Sequence, residues 1–214
     1  MCHSFPLYGF PPEDPLFPLQ SALRSAFSDP QGALKTRGDA FPGDLLPALL
    51  IRDGAFALAP MTWGYPGYPS RRAPQAKPKA LINAKAETAA TLKTWRDSLS
   101  ARRAALPASG FYEWGASPPK GRKRKFLLTL PGGERLFLAA IFAFGAPETA
   151  KAFPHFALLT TAAGASSADI HPRAPVVLRE SEILPWLKRG DPALFDPARI
   201  ALVREEILPA GGLF

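Results

Sequence analysis

Proline and glycine interrupt every apolar stretch of this chain, so its regular elements have to be short. The 25 Pro and 17 Gly make up about 20% of the 214 residues, above the average of roughly 12% and below the roughly 25–30% typical of disordered sequences. Between the interruptions lie runs with strand character: "PALLIR" (47–52), "AFALAPMTW" (55–63), "KFLLTL" (125–130), "RLFLAAIFAF" (135–144), "HFALLTTAA" (155–163) and "APVVLR" (174–179). Glycines in "PGG" (131–133) supply the positive φ of a tight turn, which predicts a hairpin between the two runs that flank it.

Helical spacing is confined to a few segments. Leu16, Leu19, Leu23 and Phe27 form one apolar stripe. A second helix is predicted from Glu87 to about Ala104, with Leu92, Trp95 and Leu99 on one face and Lys93, Arg96, Arg102 and Arg103 turned to solvent. "SEILPWL" (181–187) reads as a short helix or turn interrupted at Pro185. The Pro-rich stretches at 65–74 and 116–125 read as loops rather than linkers, because neither side of them carries a full set of elements. The expected architecture is α+β, a single strand-dominated domain over residues 1–214. Its core would be an open or barrel-like mixed β-sheet with a few flanking helices.

The formal charge of +8 is unevenly placed. Residues 71–125 hold 14 Lys/Arg against Glu87, Asp97 and Glu113, a local charge of +11 that leaves −3 for the remainder. A solvated basic face and a polyanion-binding surface both fit that asymmetry. The longest apolar run, "LFLAAIFAFGA" (136–146), is far below the roughly 20 residues a membrane span needs. The N-terminus lacks a basic region followed by an apolar one, and a cytoplasmic location is expected. One Cys and three scattered His lack metal-ligand spacing, so neither metal nor cofactor is expected.

That single cysteine stands at position 2. Unreactive cysteine is commonly a small buried hydrophobe, but terminal residues are usually mobile unless tied down. Removal of Met1 would give Cys2 an α-amine with a pKa of about 7.7–8.0 beside a thiol of about 8.5. Such a pair closes a thiazolidine on an aldehyde: the amine forms an imine and the thiol adds to it. Alternatively, the thiolate attacks an amide carbonyl with the amine as base. Both chemistries are open at this point.

Other polar residues sit among apolar ones in "LINAKAET" (81–88), "LPASGFYEWG" (106–115) and "TTAAGASSADIHPRAPVVL" (160–178). By themselves, Asn83 reads as a turn or helix cap, Glu113 as a solvent-facing strand residue, and His171, before Pro172, as a loop histidine on extended backbone. Taken in order with Cys2 and "TWGYPG" (62–67), the motifs "NAKAET", "RRAALPASGFYEW" (102–114), "LTTAA" (159–163) and "IHPRAPV" (170–176) resemble the SRAP family (SOS-response-associated peptidase domain) over nearly the whole chain. Its members shield abasic sites in single-stranded DNA by a covalent crosslink.

The resemblance implies Cys2 as nucleophile, Asn83 and Glu113 beside its terminal amine, and His171 near the sugar as general acid/base. Trp63, Lys85, Thr161 and Arg173 would line the DNA groove, with Trp63 as a stacking platform. The implied partner is single-stranded DNA containing abasic sites, met by a monomer that is nucleoid-associated when bound. The sequence departs from the family pattern in three places. The familiar Cys-Gly-Arg start is Cys2-His3-Ser4, His-Asp-Arg-Met-Pro is His171-Pro172-Arg173-Ala174-Pro175, and Lys85 replaces the usual arginine. The last change keeps charge and loses bidentate phosphate geometry.

Overall fold

A computed structural model of the chain describes residues 2–26, 33–67, 79–115, 123–144 and 153–208. Strands dominate it: β1 (Phe5–Pro6), β2 (Asp39–Ala40), β3 (Leu45–Arg52), β4 (Ala55–Trp63), β5 (Asn83–Lys85), β6 (Arg103–Ala108), β7 (Phe111–Trp114), β8 (Lys125–Thr129), β9 (Leu136–Ala143), β10 (His155–Ala162), β11 (Arg173–Pro175), β12 (Val177–Leu178) and β13 (Val203–Ile207). The helices are α1 (Phe17–Ala26), α2 (Ala86–Ala89), α3 (Lys93–Ala101) and α4 (Glu180–Arg189). Phe27, the last member of the apolar stripe expected on α1, lies outside the described residues. No helix is long and apolar enough to cross a membrane among the described residues.

The main sheet closes on itself. β4 pairs with β3, β3 with β6, β6 with β9 and β9 with β10, and the start of β10 returns in parallel to β4 through His155↔Thr62 and Phe156↔Trp63. Past that contact β10 pairs with β5 and β11, so three chain segments meet along one strand at the barrel rim. Closure removes the exposed edges that an open sheet would leave.

Both faces of the barrel strands are buried, which explains their unbroken apolar runs. In β9, Leu136, Leu138, Ala140 and Phe142 face the interior cluster with Cys2, Trp63 and Phe156. Phe137, Ala139 and Ile141 face outward, under Trp95 of α3 and Trp186 of α4. Fully burying one such side chain contributes roughly 1.5–3 kcal/mol.

Four local expectations are corrected. The runs flanking "PGG" do not pair: β8 lies with β7 and β13 in a separate three-stranded antiparallel sheet, while β9 joins the barrel. Gly132 and Gly133 do take positive φ, 73° and 72°, but they turn the chain between sheets. The long helix predicted from Glu87 breaks into α2 and α3 and ends at Ala101, and β6 begins at Arg103. Arg102 and Arg103 point inward, because Arg103 donates to Leu99 and Ser100 at the end of α3 and to Trp186, Leu187 and Lys188 at the end of α4. Carbonyls left over at helix C-termini and the helix dipole both favour a cation there. Finally, α4 runs through Pro185, anchored by buried Trp186, whose Nε1 donates to Ala104 O at 2.8 Å.

Gly110 sets the approach of β7 to β8. A Cβ at this position would lie 2.6 Å from Leu128 O and 2.9 Å from Leu127 Cδ1. Overpacking of this kind costs about 1–3 kcal/mol, so Gly110→Ala should lower the Tm by several degrees in thermal denaturation followed by circular dichroism. An unchanged Tm would mean that the β7–β8 spacing is not set there.

Candidate functional site

The start of the chain enters the barrel instead of fraying. Phe5 and Pro6 pair with Ala40 and Asp39, Tyr112 N donates to Ser4 O at 3.2 Å, and Ser109 N donates to Pro6 O at 3.0 Å. Held this way, Cys2 is 0% exposed, its Sγ 3.6 Å from Ser4 O. The terminal cysteine is thus both the buried residue that cysteines often are and a neighbour of polar groups.

Asn83 is neither a turn nor a helix cap. It begins β5, opposite Leu158 of β10, and its Nδ2 donates to Cys2 O at 2.9 Å. Its buried Oδ1 has no hydrogen-bond partner among the described residues. Glu113 is also turned inward, 2% exposed, because alternation along β7 sends Phe111 and Glu113 to one face and Tyr112 and Trp114 to the other.

Burial sets the electrostatics of this cluster. It pushes the Cys2 thiol far above its ordinary range, with a further push from the nearby Glu113 charge. Burial also raises the Glu113 carboxyl, opposed by nearby His171. Cys2, Asn83, Glu113 and His171 therefore form one neighbourhood, with His171 reached through Glu113. The imidazole is held by backbone: Arg173 N donates to His171 Nδ1 at 3.0 Å. The same Nδ1 lies 3.0 Å from Arg173 O, so main-chain groups orient the ring where the family pattern has an aspartate next to it.

The groove residues fare differently. Trp63 is 1% exposed, stacked on Phe156 at 6.1 Å with Nε1 donating to Ile82 O, and no face of it is open to a base. The expectation of a Trp63 stacking platform is corrected, because the ring fills the barrel. Thr161 is 8% exposed and donates its hydroxyl to Phe195 O at 2.7 Å. Arg173 donates to both Glu87 oxygens at 2.7 and 2.9 Å and to Thr160 Oγ1 at 3.1 Å, which holds the Glu87 carboxyl below its ordinary range. Both ends of the Arg173 fork are thus taken up by Glu87, and the Thr161 hydroxyl by a main-chain carbonyl. Lys85 alone of the four is exposed, and it enters no ion pair among the described residues. The basic residues Arg71, Arg72, Lys77, Lys120 and Arg122 lie outside the described residues.

One rim feature escaped the sequence reading: His3 stacks on Trp114 with ring centroids 4.5 Å apart, and Lys125 Nζ lies 3.5 Å from the Tyr112 ring centroid. The signal was the period-two alternation of "FYEW", which puts two aromatic rings opposite a buried glutamate.

The raised Glu113 carboxyl has a consequence for stability. The folded protein binds this proton more tightly than the unfolded chain, so the contribution of Glu113 to stability falls as pH rises. Glu113→Gln should therefore melt a few degrees above the parent at pH 7, and the difference should close as pH falls through the ordinary glutamate range near about 4.3. Thermal melts across pH check this, and a Gln variant that melts lower at pH 7 contradicts it.

A family model described as SOS response associated peptidase (SRAP) matches residues 14–203. Over 156 residues the chain is 33% identical to the abasic site processing protein YedK of Escherichia coli (strain K12), a match covering 72% of this chain and 65% of that protein. Over 120 residues it is 32% identical to the abasic site processing protein YoqW of Bacillus subtilis (strain 168), covering 52% and 50%. The matches thus span between half and just under two thirds of these relatives' lengths. Among solved structures, a Bacteroides thetaiotaomicron protein superposes with a TM-score of 0.72 at 16% identity, covering 97% of this chain and 92% of its own. A phage-related protein of Bordetella bronchiseptica does so with a TM-score of 0.64 at 25% identity, covering 96% and 94%. With most of its length matched by that family model, the chain belongs to the SOS response associated peptidase (SRAP) family.

Proposed function

We propose that this protein binds single-stranded DNA and captures abasic sites by forming a thiazolidine between Cys2, freed of Met1, and the ring-opened sugar aldehyde. The observation that carries the reading is the meeting of the chain's second residue with Asn83 and Glu113 inside the barrel. The names of the relatives, abasic site processing proteins, support the same substrate.

In this chemistry the α-amine attacks the aldehyde carbon, and the resulting carbinolamine loses water to an imine. The thiol then adds across the C=N bond, sulfur to carbon and proton to nitrogen, so one water is released overall. A carboxyl raised by burial suits Glu113 to take the ammonium proton near neutral pH and return it as the carbinolamine dehydrates. The orphaned Asn83 Oδ1 is an acceptor available to the amine. His171, its ring held by the Arg173 backbone, supplies acid catalysis for sugar opening. The buried thiol enters as a neutral group and gives up its proton as it bonds to carbon, because burial disfavours a preformed thiolate.

Cys2→Ala with Met1 removed keeps the amine and loses the sulfur. This variant should give a covalent DNA complex only with borohydride, which reduces the imine, whereas the parent should give a stable complex without reductant. An amide-cleaving cysteine enzyme would lose its nucleophile and gain nothing from reductant. A variant that binds DNA and yields no trapped complex would overturn the aldehyde reading. Separately, Lys85→Glu should weaken single-strand binding and flatten the log affinity against log salt slope by about 0.7 for one lost phosphate contact. Equal slopes in a salt titration would remove Lys85 from the DNA path.

A further inference from the structure

We propose that His3, backed by Trp114, is a stacking platform for the nucleobase that flanks the abasic sugar; this inference rests on the DNA reading above. With Trp63 enclosed in the barrel, the tryptophan expected to stack on DNA is out of reach of any base. The rim of the site offers a different aromatic surface. Residues 2–4 run beside β7, tied to it by Tyr112 N donating to Ser4 O, and the two segments alternate together. Cys2 and Glu113 face inward, while His3 is exposed and meets half-buried Trp114. The rings lie 4.5 Å apart at 35°, so Trp114 supports one face of the imidazole.

Behind this pair, Trp114 meets Tyr112 edge-on at 6.3 Å, and Lys125 Nζ sits 3.5 Å from the Tyr112 centroid and 5.6 Å from that of Trp114. This packing holds the supporting ring and places a cation at the same rim. Partial burial of the ring depresses the basicity of His3, with a smaller contribution from exposed Lys123. The neutral imidazole so favoured is a flat aromatic surface with lysine side chains at its edge. Because His3 is covalently next to Cys2, a sugar drawn to the thiol brings its neighbouring nucleotide to this surface. Stacking of this type accepts any base, and purines offer the larger face.

The test uses single-stranded oligonucleotides centred on tetrahydrofuran, an abasic unit without an aldehyde, so binding is read apart from crosslinking. In one set of probes adenine flanks the lesion on the 5′ side, the 3′ side or both; in the control both neighbours are also tetrahydrofuran. The parent should bind at least one adenine-flanked probe about tenfold more tightly than the control. His3→Gly should lose that preference and His3→Phe should retain it, each protein binding the control with similar affinity. The proposal is overturned if His3→Gly keeps the full preference, or if the parent binds all probes equally well. If the parent bound none of them, the single-strand reading itself would fall, and the platform with it.

Discussion

Burial of the first residues of the chain is the condition on which the candidate site depends. A free N-terminus costs nothing to leave in water, yet here Phe5 and Pro6 pair with β2 and Cys2 is enclosed among Ser4, Asn83 and Glu113. Taking a thiol and a carboxyl out of water shifts each toward its neutral form. In the proposed chemistry neutral forms are the useful ones: the amine needs its lone pair, and a carboxyl of raised pKa can exchange protons near neutrality. The same burial makes the cluster a liability for folding, since a buried carboxyl in its charged form opposes stability.

Strand alternation then distributes function across the two sides of β7. Its inner face delivers Glu113 to Cys2, and its outer face delivers Trp114 to His3. Gly110, packed against Leu128 O, fixes how closely β7 can approach β8 and so carries both placements. A one-residue slip would exchange the faces, moving the carboxylate to solvent and the indole to the core.

Two of the basic residues concentrated in the middle of the sequence are used internally. Arg102 and Arg103 satisfy carbonyls at helix ends and at Phe142; outside that segment, Arg173 is clamped by Glu87 while its backbone orients His171. Lys85 and Lys123 are exposed and remain available near the site.

The sequence by itself determined the class of fold and narrowed the chemistry. A cysteine at position 2 restricts the reactions open to it, Pro and Gly spacing limits the elements to short ones, and six apolar runs require a strand-rich core; these are local properties of composition and spacing. The ordered motifs also picked out Asn83, Glu113 and His171, which the structure brings into one neighbourhood with Cys2. Only the tertiary structure decided which way side chains point and which strands meet. "PGG" looked like a hairpin because a turn's φ preference is local, whereas the partners of β8 and β9 are chosen by burial against distant strands. Trp63 and Arg173 looked like ligand contacts because an aromatic ring or a guanidinium serves a core or an ion pair as well as a surface. Closure of the barrel, which joins residues near 63, 83 and 156, enclosed Trp63, and the ion pair with Glu87 took up Arg173.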